Sequence, residues 1–506
     1  MKRIRLLATS DVHGYIYPYS YATGDTFYGG FARLKTLIDS LKDKNTLILD
    51  NGDVLEGSPL SFYHYHKMPL DISPMTKAMN SIEYDYVNVG NHDFNYGEEC
   101  LMMHLQNLKA PCITNNWYYH GNPYGPTYVV REFDGIKVAL FGLVTQYIPQ
   151  WETKEHIAHS KFISAVESAK KTVETIKRFE KPDYIVCMYH GGFERDLQTG
   201  IPSEDLTGEN EAYELVKSIP GIDILISGHQ HRSLNGKLFN TYYTQTSANG
   251  TELACIDIFP ESHTIETHIL TCDTDADKEL LAPIQYEENA CQAWLDTPLG
   301  TSNIDLTIKD ENDARIHKSQ VVTFLNKVTL EYSGADLAAN AIFLGATGFK
   351  KEITMRDIVS TYVYPNTLVV KKITGKILRE YLEKTADFFS ITNNHTVGIN
   401  PVYDFPKAQH YNYDMLDGVE YILKISNPVG SRVTSLTRNG EFVKEDDEFT
   451  LVVSNYRASG GGNYDMIKNA PVVKEISNSM VEILAEYIMD KKVIDFEPVN
   501  NIDVIV

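Results

Sequence analysis

The chain has 506 residues, of which 43% are apolar and 23% are charged, and its formal net charge is −22. These proportions are those of a globular protein and exclude a disordered or fibrous chain, while the length predicts roughly two to four domains. The acidic balance argues against a nucleic-acid polymer as partner, because such binding needs a basic surface, so any phosphate ligand is expected to be small.

The amino terminus, "MKRIRLLATSDVHG", is basic, but its apolar stretch is too short for the core of a signal peptide. No run of 18 apolar residues occurs along the chain, so we expect no membrane partner. The cysteines show no CxxC pattern and no framework spacing, which predicts reduced thiols in a cytoplasmic protein. The six residues are Cys100, Cys112, Cys187, Cys255, Cys272 and Cys291.

Short β-rich runs alternate with helical patterns through the first half of the chain. The predicted strands are "IRLLATS", "NTLILDN", "YDYVNVG", "KVALFGLV", "DYIVCMYH" and "IDILISG". Between them, apolar residues recur at spacings of three and four in "GGFARLKTLIDSLKD", "YGEECLMMHLQNLK" and "ISAVESAKKTVETIKRFEK". This alternation predicts an α/β fold, either a sandwich flanked by helices or a doubly wound sheet.

The pattern changes near residue 277, where "DKELLAPIQYEENACQAWLD" predicts a single linker helix over 277–296. We therefore predict a first domain over 1–276 and a second over 297–506. The second domain mixes strands and helices, as in "ITMRDIVSTYVYPNTLVVKKITGKILREYLEK" and "DEFTLVVSNYRASGGGNY". It is expected to be an α+β domain.

Functional groups of an open α/β layer collect beyond the carboxyl ends of its strands. Five of the predicted strands are followed there only by aspartate, asparagine and histidine. The residues are Asp11 and His13, Asp53, Asn91 and His92, His190, and His229 and His231. A single "DxH" or "GNH" is a weak signal, but five such sets in order indicate one site.

These side chains are the ligands that two adjacent divalent ions need, with Asp53 as a bridge between them. The set lacks cysteine, which favours a catalytic site over a structural zinc site. Two dications outweigh the carboxylates of Asp11 and Asp53, so the site should attract a phosphate dianion and generate a hydroxide near neutral pH. The sequence leaves manganese, zinc, cobalt and iron open.

The motifs "DVHG", "NGD", "GNHD", "YHGG" and "GHQH" resemble, in this order, those of the calcineurin-type metallophosphoesterases. The segment "GGFARL" at 29–34 resembles the nucleotidase branch, and the second half resembles the carboxy-terminal domain of 5′-nucleotidases and of 2′,3′-cyclic-nucleotide 2′-phosphodiesterase/3′-nucleotidases. The resemblance implies a metallophosphoesterase β-sandwich with flanking helices. It also implies one metal on Asp11, His13, Asp53 and His231, and a second on Asp53, Asn91, His190 and His229.

The resemblance gives His92 a catalytic role without a metal, as a cation over the phosphate that stabilises charge on the phosphoryl oxygens. The 5′-nucleotidases usually read "GNHEFD" here, and the final aspartate orients the histidine. This chain reads "GNHDFN", which places Asn95 there and is closer to the "GNHEFNYG" of the cyclic-phosphodiesterase branch. An amide accepts a hydrogen bond from imidazole but brings no full negative charge.

The segment "NYRASGGGNY", residues 455–464, predicts a base-binding site, because a glycine run lets backbone approach a ligand beside a stacking ring. The family places the base between two aromatics, which implies Tyr456 as one and favours Tyr413 as the other. The glycines in contact would be Gly460, Gly461 and Gly462. Gly462 replaces the aspartate of "GGDGY" in 5′-nucleotidases, and their "NxGGIR" motif is absent.

The sequence therefore predicts a two-metal hydrolase of phosphoric esters, in which a metal-activated hydroxide attacks phosphorus, with a small nucleotide as its partner. We expect a preference for 2′,3′-cyclic nucleotides and 3′-nucleotides, for which the ribose hydroxyl positions face the metals. A 5′-nucleotidase or nucleotide-sugar hydrolase is the nearest alternative. A nucleotide-binding sensor without turnover is a second one, and oligomeric state stays open.

Overall fold

The computed structural model describes residues 3–203, 206–364, 366–405, 407–476 and 478–506. It divides into two compact units, Met1–Cys291 and Gln292–Val506. Among the helices of the described residues, none combines the length and the apolar character needed to cross a lipid bilayer.

The first unit contains two facing β-sheets. The five-stranded sheet has the order Thr264–Thr271, Glu252–Phe259, Ile4–Thr9, Thr46–Asp50, Tyr86–Val87. The six-stranded sheet has the order Leu234–Leu238, Thr241–Gln245, Ile224–Ser227, Tyr184–His190, Ile136–Val144, Val129–Phe133. Side chains alternate along a strand, so Ile4, Leu6 and Ala8 of the first sheet share a buried core with Val186 and Met188 of the second. The predicted β-sandwich is confirmed.

Helices cover the outer face of the six-stranded sheet. Ala165–Phe179 begins at Ser164, whose hydroxyl accepts a hydrogen bond from the Glu167 amide, and its apolar stripe includes Ala169 and Val173. These residues join a second core with Ile185 of the sheet. The other longer helices of the unit are Phe31–Leu41, Pro59–Lys67, Pro74–Ile82, Gly97–Asn107 and Ala212–Ser218, and a small sheet pairs Asn122–Pro123, Trp117–Tyr119 and Ser160–Phe162.

The region predicted as one helix over 277–296 forms two. Lys278–Leu281 is a single turn capped by the Asp277 carboxylate, and Gln285–Leu295 follows after a break. Pro283 lies in the break, and because proline has no amide hydrogen it cannot continue the hydrogen-bond ladder of the first turn. The prediction of a continuous helix is therefore wrong.

The second unit has the mixed α+β content predicted from the sequence. Its main sheet has the order Asp414–Asp417, Leu337–Ala341, Glu448–Ser454, Leu368–Thr374, Val472–Ile476. Smaller sheets contain Glu441–Phe442, Val433–Arg438, Glu420–Lys424 and Ile502–Ile505, and Glu352–Thr354, Pro298–Ser302 and Val493–Ile494. The longer helices are Gln320–Ser333, Met355–Thr361, Gly375–Ala386 and Met480–Lys491.

Candidate active site

The predicted metal ligands meet at one edge of the sandwich. Ile4–Thr9 runs parallel to Thr46–Asp50, and Ile224–Ser227 runs parallel to Tyr184–His190, so the polar residues after each strand emerge together. Two groups have ligand atoms within 4.8 Å of one another: Asp11, His13 and His231, and Asp53, His190 and His229.

Asp53 lies between these two groups. Its Oδ2 atom is 3.1 Å from His190 Nε2 and 4.0 Å from His13 Nε2. Asn91 joins the second group, because its Oδ1 atom is 2.8 Å from His229 Nδ1. The structure therefore brings all seven predicted ligands together, with one carboxylate facing both groups.

Backbone carbonyl groups set the orientation of two imidazoles. His190 Nδ1 lies 2.8 Å from the Asn51 carbonyl oxygen, and His13 Nδ1 lies 3.0 Å from that of Glu56. A carbonyl only accepts, so each Nδ1 carries the hydrogen and each Nε2 offers its lone pair to the site. In the described part of the chain, the buried atoms His190 Nε2 and Asp53 Oδ2 make no hydrogen bond. Both fit a divalent cation.

His229 is turned the other way. Its Nε2 atom is 2.9 Å from the Glu209 carboxylate, which holds the hydrogen there and leaves Nδ1 for the site. The ring also stacks on Trp151, with centroids 5.5 Å apart and planes at 28°. Sequence reasoning gave Glu209 and Trp151 no role, because both come from loops without a recognisable motif.

The buried carboxylates and imidazoles shift one another's pKa. Burial alone would raise the pKa of Asp53, but His190 and His92 hold it well below its usual value. Burial lowers the pKa of His190, and Asp53 and Asp11 overcome this and raise it to about 10. The carboxylate pair thus requires a compensating positive charge, and a divalent cation supplies it as well as a proton does.

Five candidate ligands have left-handed backbone conformations. Their φ angles are 57° at Asp11, 53° at His13, 58° at Asp53, 69° at His229 and 55° at His231. Residues other than glycine rarely adopt this region, because it is sterically strained, and such strain concentrates at functional sites. The backbone here is shaped to present these side chains.

Asp93 joins two of the ligand-bearing turns. Its carboxylate accepts hydrogen bonds from the amides of Asp53, Val54, Leu55 and Gly90, at 2.8–3.0 Å. The Asp53 carboxylate in turn accepts one from the His92 amide at 2.7 Å. The aspartate of the "GNHD" motif was the sequence feature that could have indicated this role, but the role was not predicted.

His92 lies at the same edge, with its ring 5.3 Å from that of His13 and its side chain 23% exposed. Its Nδ1 atom is 2.7 Å from Asn95 Oδ1, so the predicted pair is brought together. Two carboxylates that the sequence did not indicate are also close. Glu56 Oε2 is 3.4 Å from His92 Nδ1, and Glu152 accepts a hydrogen bond from the Asn95 amide. Burial raises the pKa of Glu56 to about 7.

The glycine run of the second unit makes room for its neighbours. A side chain on Gly461 would lie 2.6 Å from the ring of Tyr456, which is half-buried beside it. Gly460 and Gly462 have φ angles of 95° and 73°, which favour glycine. A side chain on Gly462 would also lie 2.5 Å from the Arg457 guanidinium, so packing excludes one there.

The prediction that Tyr413 stacks on a base is wrong. Its ring is fully buried and stacks on Phe388, with centroids 4.9 Å apart. Tyr411 is half-buried instead, and its ring lies 6.3 Å from that of Tyr456 at an angle of 70°. The 3₁₀ turn His410–Asn412 precedes Tyr413, so the two tyrosines do not share a face as they would in an extended strand.

Arg457 connects the parts of the chain that carry Tyr411 and Tyr456, which together are called the aromatic segment here. Its buried guanidinium contacts both Asp414 oxygens, at 2.7 and 3.1 Å. It also donates to the backbone carbonyls of Tyr411 and Gly461. Burial would lower the pKa of Arg457, but Asp414 raises it, so the side chain stays charged. This pair was not predicted, because its members are 43 residues apart and share no motif.

Two family models match the chain. Residues 4–233 match the calcineurin-like phosphoesterases, and residues 298–469 match the 5′-nucleotidase carboxy-terminal domain. The chain is 26% identical to a Salmonella typhimurium 2′,3′-cyclic-nucleotide 2′-phosphodiesterase/3′-nucleotidase, over 90% of this chain and 81% of that protein. It is also 26% identical to a trifunctional nucleotide phosphoesterase of Bacillus subtilis, over 98% of this chain but only 38% of the relative.

Among solved structures, the fold is similar to that of a Staphylococcus aureus protein provisionally assigned as a 5′-nucleotidase and crystallised with α-ketoglutarate. The TM-score is 0.94 and the sequence identity 33%, over all of both chains. The similarity therefore extends through both units.

Proposed function

Because the chain belongs to the calcineurin-like phosphoesterases that carry a 5′-nucleotidase carboxy-terminal domain, we propose that it is a two-metal nucleotidase preferring 2′,3′-cyclic nucleotides and 3′-nucleotides. Relatives in this family are phosphoesterase hydrolases that act on nucleotides. The observation that carries the proposal is the position of Asp53, whose carboxylate faces both groups of candidate ligands.

Asp11, His13, Asp53 and His231 would hold one divalent ion, and Asp53, Asn91, His190 and His229 the other. When bound, the two ions supply positive charge that lowers the pKa of water and draws charge from the phosphoryl oxygens. Asn51 and Glu56 hold two of the imidazoles through their carbonyl groups, and Glu209 holds a third. These contacts keep the ligand atoms oriented before an ion arrives.

His92 would act on the phosphate itself. With its Nδ1 hydrogen held by Asn95, Nε2 is the atom that faces the phosphoryl group and the leaving oxygen. As a cation it would stabilise the charge that builds on phosphoryl oxygens, and the leaving ribose oxygen would take a proton from His92 or from water.

The rings of Tyr411 and Tyr456 would bind the base, one by stacking on its face and the other at its edge, because their planes lie at 70° to each other. Their centroids lie 6.3 Å apart and neither ring is fully buried. Aromatic stacking accepts any base, so these contacts contribute affinity without choosing among the nucleotides.

The preference for 2′,3′-cyclic and 3′ substrates is supported by Asn95 and by the absence of "NxGGIR". Gly462 also supports it, since an aspartate there would have no free hydroxyl pair to bind on a 2′,3′-cyclic ribose. Arg457 and Asn412 exclude a side chain at 462 in any case, so the glycine is the weaker support.

The test compares kcat/KM for 2′,3′-cyclic AMP, 3′-AMP, 5′-AMP and a uridine diphosphate sugar, with Mn²⁺ added. We expect the first two to be the better substrates. A clear preference for 5′-AMP or the nucleotide sugar would overturn the proposal in favour of a 5′-nucleotidase or nucleotide-sugar hydrolase. Bound metal without turnover of any nucleotide would favour the sensor.

A further inference from the structure

Asn95 is not the last member of the hydrogen-bonded chain that begins at His92. Its Oδ1 atom accepts from His92 Nδ1 at 2.7 Å, and its Nδ2 atom donates to Glu152 Oε1. The other oxygen of Glu152 is 3.0 Å from His156 Nδ1. The Glu152 side chain is only 8% exposed, so this carboxylate is largely removed from solvent.

We propose that Glu152 is a positioning residue for the reaction: through the amide of Asn95 it orients His92 and supplies the negative charge that an aspartate at 95 would supply directly. The inference rests on the proposed function, in which His92 acts on the phosphate. It explains how the chain keeps an oriented histidine although its "GNHDFN" motif ends in an amide.

The orientation follows from which groups donate. An ionised carboxylate only accepts, so Glu152 requires the NH₂ side of the Asn95 amide, and the carbonyl side then faces His92. His92 Nδ1 must consequently carry the hydrogen. If Glu152 were not an obligate acceptor, the amide could turn over and donate to His92 Nδ1. The neutral ring would then carry its hydrogen on Nε2, and it could not become a cation without losing this hydrogen bond.

The loop that carries Glu152 also touches the metal ligands. It lies between the strands Ile136–Val144 and Ser160–Phe162, and Trp151 stacks on the ring of His229. Neighbouring residues of one loop thus contact the predicted catalytic histidine, through Asn95, and a candidate ligand. Glu56 also faces His92, but its Oε2 atom makes no hydrogen bond in the described residues, so it does not orient the ring.

The experiment uses the full chain loaded with Mn²⁺ and 3′-AMP as substrate. Glu152→Gln keeps the size of the side chain and removes the charge, and we expect kcat to fall about tenfold while KM, metal content and melting temperature stay unchanged. Glu155→Gln, an exposed neighbour on the same loop, is the matched control and should match the parent.

Asn95→Asp separates this role from a structural one. Alone it should lower kcat, because two carboxylates would meet where an amide now donates to Glu152. Combined with Glu152→Gln it should recover at least half of the parent kcat, since the new amide donates to the new carboxylate. The proposal fails if Glu152→Gln stays within twofold of the parent, or if the double variant is no better than Asn95→Asp.

A second readout does not depend on turnover. In the Zn²⁺-loaded protein at a pH high enough for a neutral His92 ring, long-range ¹H–¹⁵N correlation spectra should show its hydrogen on Nδ1 in the parent and a mixture of tautomers in Glu152→Gln. An unchanged tautomer in the variant would overturn the role of Glu152. If the parent prefers 5′-AMP, the same variants are measured on 5′-AMP, so failure of the substrate preference is distinguished from failure of this inference.

Discussion

The edge of the first unit that carries the candidate metal ligands and the aromatic segment of the second unit are held in place by different means. At the edge, left-handed backbone turns present the candidate ligands, and backbone carbonyl groups hold two of the imidazoles. The carboxylates of Asp93 and Glu209 hold two of the turns and a third imidazole. In the aromatic segment, the buried pair of Arg457 and Asp414 connects the chain around Tyr411. The edge is held at several points, so it should tolerate the loss of one contact better than a segment that depends on a single ion pair.

The largest effect is expected at the shared carboxylate of the edge. Asp53→Asn should remove much of the affinity for both ions and lower turnover about 1,000-fold or more, beyond the 10–100-fold typical of outer contacts. Metal analysis and kinetics check this together. Asp134→Asn is the control, because Asp134 is exposed and has a similar φ of 46°. Retention of both ions in Asp53→Asn would contradict a bridging role.

The next largest effect is expected on the chemical step at the same edge, without an effect on metal binding. His92→Asn should lower kcat about 100-fold, within the usual range for a general acid, and leave both ions bound. His120→Asn, an exposed histidine with a φ of 48°, should behave like the parent. Metal loss in His92→Asn would show that the histidine is a ligand, contrary to the assigned role.

The sequence could predict a region only where the residues that form it follow a recognisable pattern in the chain. The ligands of the edge were predictable, because they come directly after strands whose parallel pairing brings their ends together. Glu152 was not, since a loop 57 residues beyond Asn95 delivers it and carries no motif. Tyr413 was predicted from the family pattern, and nothing in the sequence showed that a 3₁₀ turn before it would bury its ring and leave Tyr411 half-buried.

The aromatic segment is expected to show smaller effects that fall on affinity. Tyr411→Ala and Tyr456→Ala should each raise KM for nucleotides about tenfold, as expected for loss of one stacking ring, and leave hydrolysis of a small aryl phosphate diester unchanged. Tyr413→Phe removes only a buried hydroxyl without a hydrogen bond in the described residues, so it should not change KM. Unchanged KM in both Tyr411→Ala and Tyr456→Ala would contradict the stacking role.

The smallest effect tests whether the raised pKa of His190 is due to the carboxylates beside it. His104 is buried without them, its Nδ1 atom 2.8 Å from the Thr76 hydroxyl, and burial lowers its pKa to about 3. Between this value and the unfolded value near 6.5, the unfolded state binds more protons, so stability falls as pH falls. His104→Leu should remove about 1 kcal/mol of the loss between pH 7.5 and 5.5, measured by urea unfolding.

An unchanged pH dependence of stability in the variant would also be informative about His104. If His104→Leu and the parent lose the same free energy of unfolding over this pH range, His104 is not neutral when buried. The contrast with His190, whose pKa Asp53 and Asp11 raise, would then be lost.

The left-handed turns at the edge that carries the candidate ligands determine which substitutions this enzyme would favour if it lost its activity in evolution. Once ions are no longer needed, glycine or asparagine at positions such as Asp11 and His231 releases steric strain, whereas a β-branched residue adds to it. Descendants that abandon catalysis should therefore gain stability as they lose ligands. Their sequences should show glycine and asparagine at the five positions that now have left-handed conformations.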